Sequence, residues 1–361
     1  MVLNNVQKPR CLIVFEESIK SEETKKNYLL MLNKFRNWSN VEDFEYLLKA
    51  DQKSIQRLLE DYVVSLKGKI SPNTFNTQLA PVFLFYELNG IVLNKTRIKK
   101  MFPAKVKRGG YGSYSLEDLK NMISSTRKKR TKACIMILSS TGCRAMALCE
   151  LKMKDVENYK DGCKIITFYS GSTSEYIGFL TPEAGKYLDD YIDERTQAHE
   201  KISSDSPLIR ESYLMGSLPA KPINNAMLQE LIEMTLTDVK RKKDSSKRYN
   251  IPITGGFRKF FNLTTKLREN ANISLVEKLM GHSVTVGLDN HYLPASTEKL
   301  FEEFKKNIVG LTINDSERLR VENELKDREI SELRAKDEEV FDLKKRLKDV
   351  ESVLLEMKSR E

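Results

Sequence analysis

A strongly basic segment at residues 94–113 constrains the fold more than any other feature of the chain. The segment reads NKTRIKKMFPAKVKRGGYGS and contains no acidic residue. Its seven cations are Lys95, Arg97, Lys99, Lys100, Lys105, Lys107 and Arg108. Proline, a glycine pair and unbroken positive charge are typical of a linker, and 361 residues are long for one hydrophobic core. The sequence therefore predicts two domains joined by a basic linker whose charge suits a phosphate backbone.

The residues before this segment are expected to form a helical domain, residues 18–93, behind an N-terminal extension, residues 1–17. In SEETKKNYLLMLNKFRNW, large apolar side chains from Tyr28 to Trp38 recur every three or four residues, which is the spacing of one buried helix face. In SPNTFNTQLAPVFLFYELNG, Pro81 is expected to kink or break the helix, because proline lacks the amide hydrogen that an internal helical turn needs.

The residues after the segment are expected to form a second, mostly helical domain, residues 114–313, with one small sheet. Ser115 and Asp118 have the spacing of a capping box at a helix start, and Ser274 and Glu277 are expected to cap a later helix. CKIITFYSGSTSEYIGFLTPEA contains two β-rich runs around a Gly-Ser-Thr-Ser turn, which predicts a hairpin. The predicted fold class is therefore α+β, mainly α-helical with a small β-sheet.

The last segment, residues 314–361, is expected to be a charged helix that pairs as a coiled coil. It contains neither proline nor glycine, and apolar residues near its end alternate three- and four-residue steps. These are Val340, Leu343, Leu347, Val350, Leu354 and Met357. The alternative is a single solvated helix, since the register does not continue upstream. Pairing within a subunit and pairing between subunits are both open.

Net charge and cysteine content narrow the possible partners. The chain carries +10, but residues 314–361 hold 15 acidic and 12 basic residues, which leaves +13 for residues 1–313. This excess favours a nucleic acid over a membrane, because no basic amphipathic helix with an aromatic face stands out. No apolar run is long enough to span a bilayer. Five cysteines without CxxC spacing and only three histidines argue against a zinc site. We expect reduced thiols, no metal, no cofactor, no signal peptide and a cytoplasmic, DNA-associated protein.

Three short stretches carry residues suited to chemistry on a phosphate. Arg144 follows a glycine-containing turn in SSTGCRAM, and Arg258 follows two glycines at a predicted helix start in ITGGFRKFF. In EKLMGHSVTVGLDNHYLP, His282 follows a helix that stops at Gly281, and Tyr292 lies ten residues beyond the histidine. Each stretch alone is equally typical of a surface arginine or a packed tyrosine, so the indication comes from their order and spacing.

Taken together, these stretches resemble the tyrosine recombinase, or phage-type integrase, family over roughly residues 18–310. TGCR resembles the family's first box, which carries the first catalytic arginine, and GGFRKFFNLTTKL resembles its second, the His-x-x-Arg box. LMGHS with the following tyrosine resembles the third box and the nucleophile. The helical stretches before the basic segment resemble the family's core-binding domain, which clamps DNA. The sequences GFRKFF and GLDNHYLP are similar to those of integrases from archaeal mobile elements.

The resemblance implies a site-specific recombinase that cuts and rejoins double-stranded DNA through a 3′-phosphotyrosyl intermediate. Arg144 and Arg258 would clamp the scissile phosphate, since guanidinium groups stay charged and bind phosphate oxygens bidentately. Tyr292 would be the nucleophile, and His282 would donate to the same phosphate. The family works as a tetramer on two DNA sites, so a homotetramer is expected here.

Two departures from the family pattern bear on activity. Gly255 stands where the second box has its histidine, and the hairpin turn, YSGSTSEY, lacks the lysine that in the family protonates the leaving 5′ oxygen. Lys164 lies too early in the hairpin for that role, while Lys259 and His291 are substitutes only by proximity in the sequence. The alternative is therefore a catalytically silent DNA-binding protein derived from a recombinase. A type IB topoisomerase shares the chemistry, but the small N-terminal domain and the tail favour a recombinase.

Overall fold

The computed structural model describes residues 8–106, 110–211, 220–243, 248–282 and 296–358. The chain divides into two compact units, Met1–Gly109 and Gly110–Glu361, and each has its own hydrophobic core. Within the described residues the architecture is mainly α-helical with one small antiparallel sheet, as the sequence predicts. None of the helices in these ranges is long and apolar enough to cross a membrane.

The first unit is built from helices packed around aromatic side chains. Its helices are α1 (Arg10–Glu17), α2 (Glu22–Trp38), α3 (Gln52–Leu66), α4 (Phe75–Leu88) and α5 (Lys95–Lys100), with 3₁₀ turns at Phe44–Leu48 and Pro72–Thr74. Phe35 of α2 meets Tyr62 of α3 edge-on, with ring centroids 4.9 Å apart, and both side chains are buried. This orientation suits the quadrupoles of the two rings. The helix predicted from Tyr28 to Trp38 is confirmed.

Two details of the first unit go beyond the sequence pattern. Helix α4 continues through Pro81, so the proline does not break the helix, and the alternative of a kink stays a prediction. Pro81 is buried beside Leu79 and Val82, and α4 packs against both α1 and α2, so tertiary packing compensates for the lost backbone hydrogen bond. Helix α1 lies in the stretch set apart as an extension, and its Cys11 and Phe15 are buried in the first core.

The second unit surrounds a helix that is buried on nearly all sides. Its helices are α6 (Leu116–Ser124), α7 (Lys129–Thr141), α8 (Ala145–Glu150), α9 (Pro182–Gln197), α10 (Asn225–Glu233), α11 (Gly255–Lys266), α12 (Ile273–Leu279), α13 (Thr297–Lys305) and α14 (Ile308–Leu311), with 3₁₀ turns at Met153–Asp155 and Lys160–Gly162. Helix α7 is buried from Ala133 to Thr141 and packs against α9 and α11. The capping box of Ser115 and Asp118 is present at the start of α6. The buried α7 thus provides a fixed support for the turn that follows it.

The sheet of the second unit contains the predicted hairpin and one further strand. Strands β1 (Val156–Asn158), β2 (Lys164–Phe168) and β3 (Tyr176–Leu180) are antiparallel in the order β1-β2-β3. Ile166 of β2 lies opposite Val156 on one side and Gly178 on the other. The predicted hairpin of β2 and β3 is confirmed. Strand β1 was not predicted, because three residues are too few to show an alternating pattern.

The tail is a single helix, α15 (Asp315–Lys358). The buried carboxylate of Glu183 accepts hydrogen bonds from the amides of Ile313 and Asn314, at 2.7 and 3.0 Å, and Lys120 pairs with Asp315 at 2.7 Å. These contacts fix where the helix leaves the second unit. Apolar side chains along its described part are exposed, namely Leu319, Ile330, Leu333, Val340, Leu343 and Leu347. The helix is confirmed, and its pairing as a coiled coil stays a prediction.

Candidate active site

Arg144 is positioned by the sharp turn that ends α7. Gly142 has a φ of +59°, a left-handed conformation that favours glycine, and an added Cβ there would lie 2.8 Å from the Cβ of Phe261 in α11. The turn therefore requires glycine both for its backbone and for its contact with α11. Arg144 follows at the start of α8, is exposed, and donates from Nη1 to the carbonyl of Gly281 at 3.1 Å.

Arg258 lies in the first turns of α11 and connects the ends of two other helices. Its Nη1 donates to the carbonyl of Gly142 at 2.6 Å, and its Nη2 donates to the carbonyl of Met280 at 2.8 Å. Those carbonyls end α7 and α12, so one guanidinium joins three elements. Burial and the nearby guanidinium of Arg144 lower the pKa of Arg258. An arginine nevertheless stays protonated in proteins, so the positive charge is kept.

His282 is placed by the abrupt end of α12. Gly281 has a φ of +62°, and an added Cβ would lie 2.5 Å from the ring of Tyr176 in β3. The amide of His282 donates to the carbonyl of Glu277 at 3.0 Å, which closes the last helical turn. Its Nε2 lies 2.5 Å from Nη2 of Arg258, and its Nδ1 contacts the carboxylate of Glu277. Each ring nitrogen therefore has a charged partner.

These partners assign the tautomer of His282. Arg258 can only donate, so Nε2 accepts from it, and Nδ1 carries the proton that is donated to Glu277. Burial lowers the pKa of His282, the hydrogen bond to Glu277 raises it, and Arg258 and Arg144 lower it further, with a net decrease. Burial alone would raise the pKa of Glu277, but hydrogen bonds from Lys266 and His282 outweigh it and lower the pKa. The site thus holds a neutral imidazole against an ionised carboxylate.

Three of the four predicted catalytic residues come together at the end of α12. Arg144 and Arg258 bind carbonyls of neighbouring residues, Gly281 and Met280, and His282 touches the second arginine. Two guanidiniums held by neutral carbonyls concentrate positive charge in a way that suits an anion with several oxygens, such as a phosphate. Tyr292, the fourth predicted residue, lies outside the described residues.

The helix before His282 is capped differently from the prediction. Asn272 is the N-cap, and its side chain accepts from the amide of Leu275 at 3.2 Å, so the assignment of the cap to Ser274 and Glu277 is wrong. The reason is register. The helix starts at Ile273, which places Ser274 inside the first turn and Glu277 one turn from the end. The contact of Glu277 with the histidine was missed, although a glutamate five residues before a histidine at a helix end was a usable signal.

The two ends of the hairpin carry different polar side chains. Lys164 donates to Asn158 at 2.6 Å and pairs with Asp189 at 3.1 Å, so its ammonium serves the base of the hairpin. Tyr169 and Tyr176 lie at the other end, with ring centroids 6.2 Å apart, and burial raises the pKa of both phenols. The hydroxyl of Tyr176 is buried and has no hydrogen-bond partner among the described residues. The hairpin thus presents phenols rather than an ammonium to this end.

The basic segment is partly folded into the first unit, because it includes α5. Lys95 pairs with Glu87 at 2.5 Å and Arg97 pairs with Glu60 at 2.8 Å, so two of the predicted DNA-contacting cations are engaged in ion pairs. Among the others, Lys99, Lys100 and Lys105 are exposed, while Lys107 and Arg108 lie outside the described residues.

The residues of this site lie within a match to a known protein family. The model of the phage integrase family matches residues 115–298, just over half of the chain, and this span includes both arginines and His282. Among curated proteins, none matches the chain.

Several solved structures are similar to the chain. An integrase of the transposon Tn1549, in complex with transposon right-end DNA, has a TM-score of 0.53 at 15% identity over 82% of this chain and 98% of that one. XerA recombinase has a TM-score of 0.38 at 20% identity, over 82% and 97% of the two chains. A lambda integrase dimer bound to a COC′ core site has a TM-score of 0.49 at 13% identity, over 78% and 93%. The likeness to the Tn1549 integrase shows a shared fold, and the predicted archaeal branch stays a prediction.

Proposed function

Because this chain belongs to the phage integrase family, we propose that it is a site-specific DNA recombinase that cuts and rejoins double-stranded DNA through a covalent 3′-phosphotyrosyl intermediate. The convergence of Arg144, Arg258 and His282 at the end of α12 is the observation that carries this proposal. The three residues are far apart in the sequence, and packing of α7, α11 and α12 brings them to one place.

The two arginines bind and activate the scissile phosphate. A phosphodiester resists attack because its negative charge repels nucleophiles, and the pentacovalent transition state carries more charge on its oxygens. Guanidinium groups that backbone carbonyls hold in position, as they hold those of Arg144 and Arg258, stabilise that charge. They also hold the phosphorus in line with an attacking oxygen.

Tyr292 is the proposed nucleophile. Its phenol loses its proton to solvent, the phenolic oxygen forms a bond to phosphorus, the bond from phosphorus to the 5′ oxygen breaks, and the 5′ oxygen takes up a proton from solvent as it leaves. One phosphate ester replaces another, so the bond energy is conserved and the reverse reaction rejoins a strand without hydrolysis of a nucleotide. His282 donates to a non-bridging phosphate oxygen during this exchange.

Double-stranded DNA is the proposed partner, and a homotetramer on two DNA sites is the proposed assembly, as the family membership implies. The net charge of +13 on residues 1–313 supports a polyanionic partner. The exposed cations of the basic segment, Lys99, Lys100 and Lys105, are suited to phosphates outside the reacting one. The coiled-coil tail is proposed to act in assembly rather than in chemistry.

A catalytically silent DNA-binding protein is the second candidate. Gly255 in place of the second-box histidine favours it, as does a hairpin turn without lysine, since a positioned acid or base contributes roughly 10²–10⁴ in rate. A duplex with a nick close to the cleavage site separates the two candidates. The short fragment diffuses away after cleavage, so a competent enzyme stays covalently attached and a silent one does not.

The test combines this nicked duplex with Tyr292→Phe, which keeps the ring and removes the hydroxyl. We expect wild-type protein to form an adduct that survives a denaturing gel, and the variant to form none while its DNA affinity and melting temperature are unchanged. Tyr111→Phe is the matched control, because Tyr111 is exposed in the same unit. Peptide mapping of an adduct to any other tyrosine would remove Tyr292 from its role. Tight binding without an adduct on any duplex would favour the silent protein.

A further inference from the structure

We propose that Glu277 is a positioning residue, which orients the imidazole of His282 and balances the positive charge that His282 carries when it donates to the scissile phosphate. The inference rests on the proposed function, because the phosphate is the substrate of that reaction. The sequence pattern predicted that Glu277 caps the start of α12. In the structure Glu277 lies inside α12, near its C-terminal end.

Glu277 holds His282 at two points. Its backbone carbonyl accepts from the amide of His282 at 3.0 Å, and its carboxylate Oε2 contacts the ring nitrogen Nδ1. Backbone and ring are therefore fixed by the same residue, one helical turn earlier in the chain. The other carboxylate oxygen, Oε1, contacts the ammonium of Lys266 in α11, which keeps the carboxylate in place.

This contact determines which nitrogen faces the phosphate. With Nδ1 bound to Glu277, the opposite nitrogen Nε2 points to Arg258, 2.5 Å away. In the DNA-free arrangement Nε2 accepts from that guanidinium, so it has no proton to give. When Arg258 turns its donors to a phosphate, Nε2 takes up one proton from solvent and can donate to the phosphate oxygen. No other bond changes in this step.

The charges around His282 determine how easily that proton is taken up. The guanidiniums of Arg258 and Arg144 disfavour an imidazolium, whereas the carboxylate of Glu277, which also contacts the ammonium of Lys266, favours it. From β3 the ring of Tyr176 packs against Gly281 and is uncharged. From α13 the carboxylate of Glu303 faces the far end of α12, where it accepts from the amide of Asn272 at 3.1 Å. Glu277 is thus placed to offset the cations of the site.

Nuclear magnetic resonance can read this coupling directly, because the chain has only three histidines, His199, His282 and His291. In Glu277→Gln the amide oxygen still accepts from Nδ1, but the negative charge is lost. We expect the pKa of His282 to fall by about one unit. In Lys266→Met, loss of a nearby cation should raise the same pKa. Glu302→Gln, an exposed position on α13, is the matched control and should leave it unchanged. Equal pKa values in the wild type and both site variants would overturn the proposal.

Cleavage of the nicked duplex supplies the second readout. If the donor is the imidazolium of His282, Glu277→Gln should cleave about tenfold more slowly at pH 8, because one unit of pKa changes the protonated fraction tenfold. The deficit should shrink toward acid pH, where the ring is protonated in both proteins. A constant deficit at every pH would indicate only a structural role for Glu277 and would reject the proposal. A wild-type protein that forms no adduct would reject the proposed function. The titration needs no DNA, so its result on the coupling of Glu277 and His282 would remain valid.

Discussion

Two pairs of arginines in the second unit are fixed in opposite ways. Arg195 and Arg210 share one carboxylate, that of Glu200, with both nitrogen–oxygen distances at 2.8 Å and all three side chains at most 4% exposed. Arg144 and Arg258 instead bind backbone carbonyls of the α7 and α12 ends, at 2.6–3.1 Å. The carboxylate of Glu200 neutralises the first pair in part, whereas the second pair binds backbone carbonyls, and the two are called the neutralised and the un-neutralised pair below.

The difference lies in what compensates the positive charge of each guanidinium. A buried guanidinium must be compensated, because desolvation of a charge is costly. Glu200 provides this compensation with a full charge. The carbonyls at the Arg144–Arg258 pair provide only partial charges, and each arginine disfavours the charge of the other, which contributes to the lowered pKa of Arg258. An anion bound between two such arginines relieves their repulsion. A bound phosphate would therefore stabilise the un-neutralised pair more than the neutralised pair, which already has a carboxylate.

Removing the shared carboxylate should produce the largest change in stability. In Glu200→Gln two buried guanidiniums lose their counter-charge, and we expect the free energy of unfolding to fall by about 3–5 kcal/mol. Chemical denaturation followed by circular dichroism measures this. Glu194→Gln on the exposed side of α9 is the control and should change it by less than about 0.5 kcal/mol. A loss below about 1 kcal/mol in Glu200→Gln would mean that the pair is not compensated by this carboxylate.

The same carboxylate should make stability depend on pH. Burial alone would raise the pKa of Glu200, but hydrogen bonds from Arg195 and Arg210 outweigh it and lower the pKa. A lowered pKa in the folded state means that the stabilisation is complete above the ordinary glutamate value of 4.5 and is lost as the pH falls further. Glu200→Gln should therefore lose less stability than wild type between pH 5 and the acid range, and equal losses would remove Glu200 as the cause.

Changing the un-neutralised pair should affect cleavage rather than folding. Arg258→Ala removes the proposed donor to the phosphate, and we expect the cleavage rate of a nicked duplex to fall by about 10²–10³. Stability should change little, since the lost hydrogen bonds to Gly142 and Met280 are offset by relief of repulsion with Arg144. Arg127→Ala, at an exposed position, is the control. Normal cleavage with a stability loss above about 3 kcal/mol would place Arg258 among the structural arginines.

The sequence predicts these two pairs unequally well, and the reason is physical. Arg144 follows Gly142, which its turn requires for a positive φ, and Arg258 follows Gly256, where a Cβ would collide with the ring of Tyr114, and such local signals are visible in a sequence. The ion network of Arg195, Glu200 and Arg210 depends on which side chains meet after α9 packs, so no local pattern indicates it. The helices and the hairpin were also predictable, because apolar spacing is a local signal in the sequence.

Other features depended on tertiary contacts and were missed or misread. Pro81 appears as a helix breaker in the sequence, yet packing of α4 against α1 and α2 holds the helix together. Strand β1 exists only because β2 offers it a partner. The contact between Glu277 and His282 required the register of α12, which differed from the predicted one because Asn272 is the cap. Boundaries and side-chain partners were thus the least predictable part of the site.

The cations of the basic segment also fall into two groups, those with a carboxylate partner and those that are exposed. Lys99, Lys100 and Lys105 are exposed, whereas Lys95 and Arg97 already have carboxylate partners. Alanine at the three exposed lysines together should reduce the slope of log affinity against log salt by about two to three, equally for any duplex sequence. Alanine at the two paired cations should reduce it by less than about one. Filter binding or fluorescence anisotropy across a salt series measures both. A loss confined to one duplex sequence would show that the segment reads bases.

The smallest effect is expected at a tyrosine beside the un-neutralised pair. Tyr191 lies by the neutralised arginines, and its hydroxyl accepts from the amide of Arg210 at 3.3 Å, so Tyr191→Phe leaves a buried amide unsatisfied and should cost about 1–3 kcal/mol. The hydroxyl of Tyr176 has no partner among the described residues, so Tyr176→Phe should change stability by less than about 0.5 kcal/mol. Denaturation curves of the two variants provide the comparison. A cost above about 1 kcal/mol for Tyr176→Phe would indicate that the hydroxyl has a partner outside the described residues. Unchanged stability with slower cleavage of the nicked duplex would instead indicate that this hydroxyl contributes to the reaction through the residues packed around it.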